Sequence, residues 1–198
     1  MDKQKMEELI NTLCNSIVND LNQMKDNHKQ TYALALVGND DMEHFFLALA
    51  NTEDLEKILS ENEVTPTDTD DFLYFKWSPN EWLCMSYDLE CFLEDSQLKA
   101  FNKKLREEAS AIKSDCDNYR KTMLEVCMAA LVKAKPQVES LLKHSNLPIF
   151  VSFTDISKLQ EIENYTALQI NSREVYEAFS TRFAELDWGK DLGVYAPF

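Results

Sequence analysis

Trp77-Ser78-Pro79-Asn80-Glu81-Trp82 holds a complete helix-start code in six residues. Ser78 suits an N-cap, because its hydroxyl can accept a backbone N–H two or three residues on. Pro79 suits the first helical position, where its missing N–H would have had no partner in any case. Glu81 stands three residues after Ser78 and completes a capping box, while Trp77 and Trp82 occupy the two positions of a hydrophobic staple. The spacing therefore predicts a strand, Phe72-Leu73-Tyr74-Phe75-Lys76, turning sharply into a short helix. That helix is expected to end near Leu83 or Cys84, with a strand over 85–92 beyond it.

Upstream of the turn, residues 3–27 carry Met6, Leu9, Leu13, Ile17, Leu21 and Met24 at steps of three and four, which reads as one amphipathic helix. Thr31–Val37 and His44–Ala50 are apolar runs too short for buried helices, and Gly38-Asn39-Asp40-Asp41 is a turn between them. They read as a strand hairpin. Asn51 or Thr52 then caps a helix to about Ser60, with Glu53 and Asp54 in its first turn, where carboxylates are favoured. Residues 61–71 lack apolar periodicity and read as a surface loop. Asp68, Asp70 and Asp71 have the wrong spacing for a calcium loop, and no glycine follows them.

Downstream, the stripe from Leu98 through Ala134 keeps one helical phase, and Ser114-Asp115-Cys116-Asp117 offers an N-cap within it. Two helices are predicted, at 96–112 and 115–134, the second ending near Pro136 because the residue before a proline disfavours the α region. A short helix at 137–143 and a strand over Pro148–Phe153 follow. Ser157-Lys158-Leu159-Gln160 starts a short helix, Thr166–Ile170 reads as a short strand, and Asn171-Ser172-Arg173-Glu174 opens a final amphipathic helix. The apolar tail, 188–198, reads as packing over the domain. The sum is a single α+β domain spanning 1–198, with a mostly antiparallel sheet of four to six strands covered by helices on one face.

Composition narrows the function classes. The formal net charge is −15, and a surface that acidic repels nucleic acid and anionic lipid. Neither is expected as a partner; a basic protein is. The five cysteines are odd in number and have no CxxC spacing, and three fall on helical stripes, so they read as reduced core residues of a cytoplasmic protein. Met1–Lys5 leads into an amphipathic helix with no signal-peptide core, and no apolar run approaches the roughly 20 residues that cross a bilayer.

Chemistry-bearing motifs are absent from the sequence. There is no HExxH, GxSxG, Walker loop or GxGxxG, and 3 glycines could hardly build a phosphate cradle. No catalytic residue, metal ligand or cofactor is assigned. Asp155, just after the late strand, and His44 are the positions around which a small hydrolase or transferase site would be assembled, as the alternative to a non-enzymatic reading. For Asp155 a turn or cap role is the simpler expectation.

Several stretches together resemble a bacterial family, domain of unknown function 4303. They are Tyr32-Ala33-Leu34-Ala35-Leu36, the run from Leu47 through Glu53, the Trp77–Trp82 turn, Phe150-Val151-Ser152-Phe153-Thr154-Asp155 and Leu168-Gln169-Ile170-Asn171. The resemblance implies no established activity and no catalytic residues. Small acidic α+β domains of this sort are similar in character to immunity proteins that neutralise bacterial toxins, an analogy of class alone. The resulting expectation is a protein-binding module, of immunity type, that covers a basic toxin domain. Glu61, Glu63, Asp68, Asp70 and Asp71 are its expected contacts.

Overall fold

The computed structural model describes residues 1–24, 30–86, 96–109, 116–154 and 158–184, with the side chains of 108 and 109 left aside. Its centre is the hairpin of β1 (Thr31–Gly38) and β2 (Phe45–Asn51), paired antiparallel with Leu34 opposite Leu49 and Leu36 opposite Leu47. β3 (Cys84–Met85) joins β2 antiparallel, and β4 (Ile149–Phe153) joins β1 parallel, giving the order β3-β2-β1-β4. The sheet is thus mostly antiparallel and has four strands. Its one parallel pair follows from the long helical connection before β4, since parallel neighbours need a crossover.

Side chains alternate across this sheet. Leu34, Leu36, Phe45, Leu47, Leu49, Ile149, Val151 and Phe153 face the main core. That side is covered by α1 (Lys3–Gln23), α4 (Gln97–Ala109) and α5 (Cys116–Leu142). Ala33, Ala35, Val37, Phe46, Ala48, Ala50 and Phe150 face the other way, against Trp82, Met85 and Phe179. With both faces covered, β1 and β2 are apolar along their length, which explains why they read as unbroken runs rather than alternating ones.

A register shift between Thr31 and Ala33 puts a bulge at Tyr32. An unshifted strand would send Tyr32 to the Leu34 side; instead it packs with Ala33's cluster. Gly38 is equally specific. A Cβ there would lie 2.7 Å from Phe153 Cε1 and 2.8 Å from Phe45 Cε1, both rings being fully buried. Gly38→Ala is expected to cost about 1–3 kcal/mol by overpacking, read as a lower urea midpoint with an unchanged slope.

The outward edge of β4 is closed by side chains of α6 (Leu159–Ile170) and the residue after it. Val151 N donates to Thr166 Oγ1 at 3.0 Å, Ile149 N donates to Asn171 Oδ1 at 3.1 Å, and Asn171 Nδ2 donates to Ile149 O at 2.7 Å. α7 (Arg173–Ser180) follows, its Val175 N capped by Ser172 as the sequence predicts. α2 (Thr52–Glu61) also starts as expected, with Asn51 accepting from Asp54 N.

Several expectations are corrected. Phe72–Lys76 is not a strand but the body of α3 (Thr69–Trp77), whose first turn carries Asp70 and Asp71. Aromatic residues favour strands only where a pleated surface awaits them, and here only Trp77, just past the segment, reaches the small-residue face of the sheet. Thr166–Ile170 is the last part of α6, with Thr166, Ala167 and Ile170 buried at helical steps and Leu168 exposed. Pro136 does not end α5, which runs on through the segment read as a separate helix. Pro136 and Val132, four residues earlier, are both exposed, so the carbonyl deprived of its donor sits on the solvent side. Cys116 is exposed, not core-facing; Cys14, Cys84 and Cys127 are buried. Cys91, the 110–115 junction, Ser157, Asp155, most of the 85–92 strand and the 188–198 tail lie outside the described residues.

Candidate functional site

The turn that follows α3 is where the chain builds a surface feature. Ser78 N donates to Tyr74 O at 2.9 Å and so closes the end of α3. The Ser78 hydroxyl caps nothing, and Pro79–Glu81 forms a single 3-10 turn after which Trp82 is extended. The capping-box reading is therefore overturned. Its residues are right for a helix start, but Ser78 is already the C-cap of the preceding helix, and Trp82 is drawn down onto the sheet. Glu81 turns from the cap to Tyr74, whose hydroxyl donates to Glu81 Oε1 at 2.7 Å. This bond, with burial, pushes the Tyr74 hydroxyl up to about 12.

Aromatic packing fixes the turn. Trp77 meets Tyr32 and Phe179 edge-on at 5.8 and 5.6 Å between ring centres, and Trp82 meets Phe150 at 6.2 Å. Tyr32 Oη and Trp82 Nε1 both donate to Lys76 O, at 2.9 and 3.3 Å, which satisfies a carbonyl left open at the helix end. The two tryptophans both anchor the turn, Trp77 on Tyr32 and Phe179 and Trp82 on Phe150, but no helix starts between them, so the staple reading falls with the capping box.

Between this turn and α6 lies a cleft of about 150 Å³ lined by Tyr74, Trp77, Ser78, Pro79, Asn80, Glu81, Leu159, Gln160, Glu163 and Phe183. Glu163 is only 2% exposed. Its Oε1 accepts from Ser152 Oγ at 2.7 Å and its Oε2 from Arg182 Nη2 at 2.7 Å. Arg182 also donates to Asn164 Oδ1 and to Phe179 O, and its guanidinium carbon lies 3.8 Å from the Phe179 ring centre. Burial raises the Glu163 carboxyl above its ordinary range; the Arg182 charge and the Ser152 bond act against that. Nothing in the sequence around Glu163 or Arg182 forms a motif. The available signal was a carboxylate in phase with the apolar positions of its helix, four residues from both Leu159 and Ala167.

The five carboxylates expected to meet a partner are all exposed, from the last residue of α2 through the α2–α3 connection to the first turn of α3. Asp68 has a local task as well: it accepts from Thr65 N at 2.8 Å and Thr65 Oγ1 at 2.7 Å, which holds its carboxyl below the usual range. α3 buries no residue fully, and Tyr74 is 49% exposed. The structure thus places the acidic stretch directly before the aromatic helix that forms one wall of the cleft.

His44 lies elsewhere, at the hairpin end. Its backbone pairs with Asn39, and its ring is 6.3 Å from that of Phe46. Burial, aided by the Arg106 charge, lowers its pKa. It does not line the cleft, and Asp155 lies outside the described residues. Among the described residues no group of three or more His, Cys, Asp and Glu is placed to hold a metal ion, and no helix is long and apolar enough to cross a membrane.

No curated protein and no solved structure matches the chain. The family model described as domain of unknown function (DUF4303) matches residues 13–172, which takes in both faces of the sheet, the tryptophan turn and α6. The chain belongs to the DUF4303 family.

Proposed function

We propose that this protein is a non-catalytic binding module of immunity type, which receives a basic partner, a toxin domain, on the α2–α3 edge. The observation that carries the reading is the juxtaposition of five exposed carboxylates with a helix that leaves Phe72, Leu73, Tyr74, Phe75 and Trp77 only partly covered. An aromatic centre with a charged rim is the composition that concentrates binding energy at protein interfaces. The −15 net charge supplies the long-range field, and acidic side chains closing over a cationic active surface would exclude that surface's own substrate.

The test is capture of a basic partner from the native lysate, followed by kinetics on the purified pair. Association is expected to slow by about tenfold or more between low and physiological ionic strength, as steered encounters do. The combined Glu61→Gln, Glu63→Gln, Asp70→Asn and Asp71→Asn variant should show the same slowing at low salt. An association rate indifferent to both salt and these four substitutions would reject the steering mechanism.

A further inference from the structure

The cleft beside the tryptophan turn has a size and lining of its own. Its volume of about 150 Å³ is below the roughly 300–1,000 Å³ of sites for whole cofactors or substrates, so it is matched to one long side chain. Tyr74, Trp77 and Phe183 supply ring surface, and Glu81 and Glu163 supply carboxylates. Aromatic faces beside a carboxylate attract a cation through the ring quadrupole as well as through charge. The rings already do this within the chain: Lys76 Nζ lies 5.5 Å from the centre of Trp77, and the Arg182 guanidinium lies 4.8 Å from that of Phe183.

We infer that the cleft is a receptor for a single lysine or arginine side chain of the partner, seated beside Trp77 and Tyr74 and paired with Glu81. The inference rests on the binding role proposed above and says which group of the partner is anchored. Of the four charges around the cleft, Arg182 is fully buried and matched in the interior by Glu163. Glu81 therefore sets the attraction at the mouth, and Lys76 opposes it. Glu81 commits Oε1 to the Tyr74 hydroxyl, a bond that aims the carboxylate while adding no counter-charge.

The experiment is calorimetric titration of the full chain with N-acetyl-arginine methylamide and N-acetyl-lysine methylamide, with N-acetyl-norleucine methylamide as the uncharged control. At least one cationic probe is expected to bind at one site, the control not at all. Glu81→Gln should weaken binding about tenfold or more, the effect of removing one charge-assisted contact. Lys76→Gln should strengthen it, and a substitution that merely loosened the fold would not produce that opposite sign. Equal binding of the control, no binding of either cation, or indifference to Glu81→Gln would each overturn the inference. A captured partner that binds Glu81→Gln as tightly as the parent would leave the surface reading intact and remove the cleft from it. A probe that binds while no basic partner is found would keep the cation site and remove the immunity-type role.

Discussion

Arg182→Met is expected to lower the unfolding free energy by about 3–5 kcal/mol, because it strands a buried charge. The Arg182 side chain is fully covered and that of Glu163 is 3% exposed, so water cannot replace what is removed. Glu163 would keep only its Ser152 bond, and Asn164 and Phe179 O would lose the donors they share. Methionine preserves much of the packing against Phe179, which confines the loss to the polar contacts. The double variant Arg182→Met with Glu163→Leu should regain much of the loss, since replacing a buried ion pair by apolar residues of similar size is often near neutral. Urea unfolding of the two single variants and the double closes the cycle. Additive losses would show that the two residues are not a unit.

The same pair fixes a pH dependence. Burial raises the folded-state pKa of Glu163 above its ordinary value. A carboxyl that holds its proton more tightly when folded contributes most below the ordinary glutamate range, and that contribution is lost as pH rises through the raised value. Removing Arg182 takes away the main opposing charge, so the folded pKa rises further and the loss extends to higher pH. The stability gap between the parent and Arg182→Met should therefore widen from acid towards neutral pH. A gap that stays constant across that window would contradict this account.

Asp20→Ala is the second large loss, expected at about 3 kcal/mol from three hydrogen bonds to its carboxylate, two of which cap α4. Asp20 lies within α1 and is fully buried, yet it serves the start of α4. Its Oδ1 accepts from Gln97 N at 2.7 Å, and its Oδ2 accepts from Leu98 N at 3.2 Å and Ser96 Oγ at 2.6 Å. One helix thus supplies the N-terminal anion of another, at the end where the peptide dipoles favour negative charge. Asp20→Asn keeps one acceptor and should lose roughly half as much. Burial raises the Asp20 pKa against the pull of its three donors. Its contribution is therefore fullest below the ordinary aspartate range and declines as pH rises through the raised folded value. The difference between the parent and Asp20→Asn should shrink over that rise. Thermal unfolding at a series of pH values reads both effects. If Asp20→Ala unfolds with the parent, α4 does not depend on this cap.

The parts of the fold legible in the sequence were those whose pattern and environment agree. The Leu9, Leu13, Ile17, Leu21 stripe became α1 because one face of that helix meets one core. Asn51, Glu53 and Asp54 marked the start of α2 because a cap acts within four residues and needs no tertiary partner. The failures came where distant packing decided. Phe72–Trp77 has the composition of a strand, but it folds as a helix that buries no residue fully and is held through Trp77, which packs on Tyr32 and Phe179. Ser78 read as a helix start, but the helix before it, which the letters did not show, takes Ser78 as its C-cap, and Trp82 packs against Phe150 beyond the turn. Asp20 and Glu163 were passed over because a charged residue breaks an apolar stripe when letters are read. Both nevertheless stand in the phase of their buried neighbours. A carboxylate in that phase is a sign of a partner elsewhere in the chain, Ser96–Leu98 in one case and Arg182 in the other. The acidic stretch from Glu61 to Asp71 was legible as exposed, and the aromatic wall beside it was not, because it depended on α3 being a helix.

The closure of β4 by Thr166 and Asn171 bears on how this protein can meet others. A sheet whose outer strand shows free N–H and C=O groups can be extended by a foreign strand, either as a mode of recognition or as the first step of aggregation. Here the outward amides of Ile149 and Val151 are already occupied by side chains of the next helix and of the residue that caps it. Strand addition at β4 would have to strip both bonds before it formed any. Recognition on that side is left to side chains.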